Sequence, residues 1–295
     1  MKHQAQWEGA LYELIRRTSV DLPDDVEAAL RRAWSREQRH SRAREVLGTI
    51  LDNIERARRN DAPICQDTGA LTFYVRVPVG FDTNALAAVA RGAVARATRL
   101  GYLRQNTVDA VSGDPYQTNV AYGAPVFRFE QGARSTVDVR LLLKGGGSEN
   151  VSRQYSLPDA ALHAGRNLDG VRRCVLDAIV QAQGNGCAPG VLGVCLGGDR
   201  VTGAEHAKEQ FLRRLDDHSR LRVLARLEER LFEESRALQI GPMGLGGEST
   251  LLGVKIGALS RLPASFFVTV AYMCWAFRRR GMVLATNGRV QRWLY

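Results

Sequence analysis

"PICQDTGALTFYVRVPVG", residues 63–80, is the stretch from which the fold can be read. Its second half alternates Leu71, Phe73, Val75, Val77 and Val79 against Thr72, Tyr74 and Arg76, the period-two pattern of a half-buried strand. Its first half places Cys65 in a polar loop beside Gln66, Asp67 and Thr68, at the entrance to that strand. A structural cysteine is usually a small buried hydrophobe, and Cys65 does not lie in an apolar run.

Working outward, residues 5–59 read as two or three helices, with Pro23 near a helix start and acids in the following turn. "DTNALAAVARGAVARATRLGYL" reads as an alanine-rich helix capped by Asp82 or Thr83. "TVDVRLLLKGGGSEN" is a second strand that runs straight into three glycines. "LDGVRRCVLDAIVQAQGNG" is a helix whose apolar face carries Val171, Cys174, Val175, Ala178 and Ile179. "PGVLGVCLGGD" is a short buried strand. Residues 205–238 read as helical, with Leu221, Leu224, Leu227 and Leu231 on one face, and "STLLGVKIGAL" and "ASFFVTVAYMC" are two further strands. Interleaved strands and helices after a helical N-terminal segment define a mixed α/β chain of the α+β class. Residues 1–60 form the helical segment of the same domain, and 61–295 form the α/β domain that carries the chemistry.

The chain has 295 residues and is 45% hydrophobic, enough for a large core. It contains no apolar stretch of about 18 residues and no signal-like N-terminus, so no membrane span is expected and a cytoplasmic protein is the default. The net charge is +10, and only Lys2, Lys144, Lys208 and Lys255 among the 41 cationic residues are lysines. No zinc-finger, RRM or KH signature accompanies the arginines, so nucleic acid is not the expected partner. A basic field suits anionic metabolites or an acidic partner surface.

The five cysteines separate into two groups. Cys174 lies on an apolar helix face and Cys195 in a continuous apolar run, so both read as core. Cys65, Cys187 in "GNGCAPG" and Cys274 in "AYMCWAFRRRG" stand at element ends, with no close pair of the zinc type among them. Three isolated thiols are either unrelated or the ligands of an object needing only three protein donors, such as an iron–sulfur cubane with one iron left open. "KGGGSEN" is either a main-chain anion cradle or a tight turn needing positive φ, and "IGPMGLGGEST" admits the same alternatives.

"ICQDTG", "KGGGSEN", the single cysteine before "APGVLGV", "IGPMGLGGEST" and "CWAFRR" follow one another in an order that resembles the class I, iron–sulfur-dependent fumarate hydratases and the α subunit of L-tartrate dehydratase. The resemblance implies a [4Fe–4S] cluster held by Cys65, Cys187 and Cys274, whose open iron serves as a Lewis acid. It implies reversible hydration of a C4 dicarboxylate, fumarate and malate first and tartrate next. Asp67 then falls in a proton-handling or hydroxyl-organising position. Gln66 and Arg104 fall beside the substrate, and Gly145, Gly146 and Gly147 approach substrate or cluster with their amides. The resemblance also implies a separate β subunit of about 200 residues, in a heterodimer or a pair of heterodimers. Three departures stand out: "CAPG" follows the second cysteine without paired prolines, Glu248 follows "GLGG", and Leu262 stands where relatives often carry histidine. The alternative expectation is a relative that keeps the cluster for a non-catalytic or redox-sensing role.

Overall fold

The computed structural model describes residues 3–295. In chain order its elements are α1 (Gln4–Val20), α2 (Asp24–Arg36), α3 (Arg42–Arg59), β1 (Ala70–Pro78), α4 (Thr83–Arg99), β2 (Val126–Gly132), β3 (Thr136–Lys144), α5 (Gly146–Asn150), β4 (Arg153–Ser156), α6 (Leu168–Ala182), β5 (Gly190–Leu196), α7 (Arg200–Glu209), α8 (Arg222–Ala237), β6 (Leu251–Ala258), β7 (Phe267–Met273), β8 (Arg278–Ala285) and β9 (Val290–Leu294). This is the mixed α+β class that the sequence implies. No helix among the described residues is long and apolar enough to cross a membrane. The chain divides into two compact units: residues 1–24, 53–146 and 278–295 in the first, 25–52 and 147–277 in the second.

The first unit is built on a five-stranded sheet, order β2-β1-β3-β8-β9. Leu71, Phe73, Val75 and Val77 of β1 are all buried and join Trp7, Leu11, Leu14 and Ile15 of α1 and the alanine face of α4 in one core. The strand ends before Val79, which is 74% exposed and does not continue the buried face. Asp82 caps α4, its side chain accepting from the Ala85 N–H at 2.9 Å. β1 pairs antiparallel with β3, so the loop entering β1 and the glycines leaving β3 lie at the same end of the sheet, with Ala70 opposite Lys144. Two strands of this unit go beyond the sequence reading: β2, whose Phe127–Arg128–Phe129–Glu130 alternation is short and largely exposed, and β8, which begins with three arginines.

The second unit holds a four-stranded sheet, order β4-β7-β5-β6. All seven residues of β5 are buried. Leu192, Val194 and Leu196 share a core with Val171, Cys174, Val175, Ala178 and Ile179 of α6 and with Leu224, Leu227 and Leu231 of α8. The opposite face of β5 meets α7 at Gly193, where a Cβ would stand 2.2 Å from the Ala207 carbonyl oxygen. A strand covered on both faces reads as a continuous apolar run, which is how β5 appears in the sequence. The helix expected over 205–238 is broken. Its chain leaves helical structure between Arg213 and Leu221, because Arg213 turns to Asp217 and Glu228 and the buried Lys255 Nζ donates to the Leu215 carbonyl at 3.0 Å. Leu221 is accordingly 59% exposed and precedes α8 instead of belonging to an apolar face.

Candidate active site

In the first unit the "ICQDTG" segment is tied down on both sides. The Ile64 N–H donates to the Ser19 carbonyl at 3.0 Å, and Asn53 Nδ2 donates to the Ile64 carbonyl at 2.9 Å. Cys65 follows, half-buried, and Gln66 is exposed. The Asp67 carboxylate collects three N–H donors from three parts of the chain. Oδ1 accepts from the Gly69 backbone at 2.9 Å and from Asn106 Nδ2 at 3.1 Å, and Oδ2 accepts from the Gly146 backbone at 2.9 Å. The Asp67 carbonyl accepts from the guanidinium of Arg278 at 2.8 Å, and Arg278 is 1% exposed. A Cβ on Gly145 would lie 2.8 Å from Asp67 Oδ2, so residue 145 must be glycine for this carboxylate to keep its place.

Arg104 displays its side chain from a fixed backbone. Its N–H donates to Oγ1 of the fully buried Thr68 at 3.0 Å, and its carbonyl accepts from Asn119 Nδ2 at 2.6 Å. Asn119, 1% exposed, also accepts from the N–H groups of Asn106 and Thr107. The guanidinium itself is exposed. A pinned backbone with a free planar donor is the arrangement that receives a carboxylate.

The glycines of "KGGGSEN" do not form the turn that was one of the two alternatives. Gly145, Gly146 and Gly147 are absent from the positive-φ positions, so the segment is not a left-handed turn. The chain instead enters α5 at Gly146, and the Gly146 N–H is already engaged by Asp67. In "IGPMGLGGEST" the turn reading is right: Gly241, Gly244, Gly246 and Gly247 all have positive φ.

In the second unit two of the three singled-out cysteines are brought together. Cys187 is exposed, at φ 56°, in the turn between α6 and β5. Cys274 directly follows β7. The Trp275 N–H donates to the Cys187 carbonyl at 3.2 Å, joining the two thiol-bearing segments backbone to backbone. Beside them stands Tyr272, 2% exposed, whose hydroxyl is pushed above its ordinary range by burial first and by the Cys274 and Cys187 thiols after it. Gly147 lies in this unit near the Asn185 carbonyl, 3.9 Å from where its Cβ would be. Leu262, at the position of the missing histidine, is 71% exposed.

The remaining cysteines behave differently. Cys174 and Cys195 are both fully buried, and burial pushes each thiol up to about 12, with Asp159 and Asp177 adding to the first and Glu209 to the second. A thiol held so strongly neutral is a poor metal ligand, since the thiolate is the donor. All five cysteines are free of disulfides. Among the described residues no group of three or more His, Cys, Asp and Glu side chains stands in metal-holding geometry. The donor set present at 187 and 274, one exposed and one buried thiol at element ends beside a buried polar hydroxyl, has the sulfur chemistry that an iron–sulfur group takes.

Sequence reasoning missed Thr68, Asn106, Asn119, Arg278 and Tyr272. Arg278 was within reach, since it belongs to "CWAFRR"; Tyr272 is, with Thr269, one of two polar-tipped residues in the otherwise apolar run "FVTVAYM".

The first unit thus holds a fixed carboxylate at a strand entrance and an exposed guanidinium, and the second holds the paired thiol segments, within one α+β chain. Residues 8–283 match the family model described as "Fumarate hydratase (Fumerase)". The chain is 49% identical over 290 residues to the Geobacillus stearothermophilus protein named "Putative fumarate hydratase class I", covering 97% of this chain and 56% of that protein. It is 30% identical over 263 residues to the "L(+)-tartrate dehydratase subunit alpha" of Escherichia coli (strain K12), covering 88% of this chain and 85% of that protein. The chain therefore belongs to the fumarate hydratase (Fumerase) family, and it spans little more than half the length of the Geobacillus relative.

Proposed function

We propose that this chain is the cluster-bearing α subunit of a hydro-lyase that reversibly adds water to a C4 dicarboxylate, fumarate and malate first and tartrate next. Family membership supports a hydro-lyase of dicarboxylates, and the E. coli relative's name, which designates an α subunit, supports a β partner. The observation that carries the reading is the Trp275–Cys187 backbone bond, which pairs the two thiol-bearing segments at the ends of their elements while Cys174 and Cys195 lie inside a helix and a strand of the core.

Cys187 and Cys274 would hold a [4Fe–4S] cluster together with Cys65, which the family motif "ICQDTG" assigns to the third position. Once bound, such a cluster supplies Lewis acidity that stabilises the charge on a departing hydroxide. The chain's own residues do the rest. Arg104 binds a substrate carboxylate through its planar donors. Asp67 organises the substrate hydroxyl or handles a proton, and its three N–H partners and Gly145 hold its oxygens in one place. Gln66, exposed beside it, offers an amide to the same ligand. Because the Gly146 amide is committed to Asp67, the glycine segment acts on the substrate chiefly through that carboxylate. Five cysteines outside any disulfide fit a reducing, cytoplasmic compartment.

The test is an anaerobic assay of the reconstituted chain with its co-expressed β partner on fumarate, L-malate and tartrate. Turnover of at least one of them, dependent on iron and on both chains, is expected. A fully loaded complex with no turnover on any of them would refute the catalytic reading.

A further inference from the structure

Tyr272 is the one aromatic hydroxyl among the described residues that is buried without any hydrogen-bond partner. Leaving such a group unsatisfied costs about 1–3 kcal/mol, and phenylalanine would fill the same slot without that cost. The slot is tightly made. A Cβ on Gly186 would come within 2.4 Å of the Tyr272 ring, and one on Gly190 within 2.3 Å of the ring and 2.4 Å of the hydroxyl oxygen. These two glycines bracket Cys187, Ala188 and Pro189, so the segment that carries one thiol lies across the ring. The strand that carries Tyr272 delivers the other thiol two residues later, at Cys274. The orphaned O–H is thus flanked by the two thiol-bearing segments, one lying across its ring and the other continuing its own strand.

We infer that Tyr272 is a positioning residue for the iron–sulfur group, its hydroxyl donating a hydrogen bond to a cluster or cysteinyl sulfur once the group is bound. The inference rests on the proposed cluster site of the preceding subsection. Its physical consequence is specific. A donor aimed at a cluster sulfur stabilises the reduced, more negative form and so raises the reduction potential. A residue that merely filled space would leave the potential unchanged when the hydroxyl is removed.

The experiment compares anaerobically reconstituted wild type and Tyr272→Phe. Iron and sulfide are measured first, then the midpoint potential by electrochemical titration, then the exchangeable-proton couplings of the reduced cluster by ENDOR after transfer to D2O. Tyr272→Phe is expected to load iron as wild type does, to titrate at a more negative potential, and to lose one exchangeable coupling. Equal potentials and unchanged couplings in two equally loaded proteins would overturn the role of Tyr272 while leaving the cluster reading intact. Wild type that takes up no iron would overturn both. Should Tyr272→Phe itself fail to load, 3-fluorotyrosine placed at 272 keeps the ring and strengthens the donor. It should then shift the potential positive, and an unshifted potential would count against the inference.

Discussion

The N–H of Trp275 donates to the carbonyl of Cys187 across 3.2 Å, joining a turn that follows one helix to the second residue after a strand almost ninety positions later. Neither cysteine segment can drift without breaking that bond or displacing Tyr272 from between Gly186 and Gly190. The pairing is made by an N–H and a carbonyl and not by the thiols. If the thiols hold the proposed cluster, segments already joined lower the ordering cost of capturing it.

Gly186→Ala tests that arrangement. The new methyl would overlap the Tyr272 ring, and overpacking of this kind costs about 1–3 kcal/mol. The variant should unfold at lower denaturant than wild type and bind less iron on anaerobic reconstitution. Unaltered denaturation and unaltered loading would show that the ring and the Cys187 turn are not coupled.

Asp67→Asn keeps the size of the side chain but turns one carboxylate oxygen into a donor facing the N–H of Gly69, Asn106 or Gly146. If Asp67 handles a proton, kcat normalised to iron should fall by about 10²–10⁴-fold while iron loading is kept. Gly145→Ala should mimic part of this loss by pushing Oδ2 away, with the carboxylate still present. Full activity in both variants would assign Asp67 a purely structural place.

Arg104→Ala should raise KM for the dicarboxylate by about 10–100-fold, the worth of a charged hydrogen bond at about 1.5–3 kcal/mol. Arg104→Lys should recover only part of it, because an ammonium cannot reproduce the planar fork. The Arg104 backbone is held by Thr68 and Asn119, so neither change should alter thermal stability. A KM unchanged in Arg104→Ala would remove this residue from the substrate site.

Alkylation of the native, metal-free chain should sort the cysteines by thiolate supply. Cys174 and Cys195 titrate near 12, and a raised thiol pKa leaves the neutral form dominant below it. At pH 8 each is thiolate in only about one molecule in 10⁴, and both are sealed from reagent. Mass spectrometry after brief iodoacetamide treatment should find label at exposed Cys187 first and at Cys174 and Cys195 only after denaturation. Early label on either core cysteine would contradict the sorting.

Much of this was legible in the residues themselves. β1 shows itself by alternation because only one of its faces meets the core, β5 by a continuous apolar run because both faces are covered, and the core cysteines by their apolar neighbours. β2 escaped because it is an edge strand, largely exposed, pairing with β1 along one side only. β8 escaped because it begins "RRRG", which reads as surface, whereas Arg278 and Arg279 are 1% and 0% exposed. Asp67 and Arg104, proposed for the site, are singled out by the family motif. Asn106 and Asn119 are not, because their roles are hydrogen bonds closed across the fold, and those leave no periodic trace in a sequence.

The most direct test of the central claim is iron and acid-labile sulfide per chain after anaerobic reconstitution, for wild type and for each cysteine changed singly to alanine. Four irons and four sulfides are expected in wild type and in Cys174→Ala and Cys195→Ala, with loss of the cluster in Cys65→Ala, Cys187→Ala and Cys274→Ala. A wild-type chain without iron, or equal losses from all five substitutions, would contradict the account.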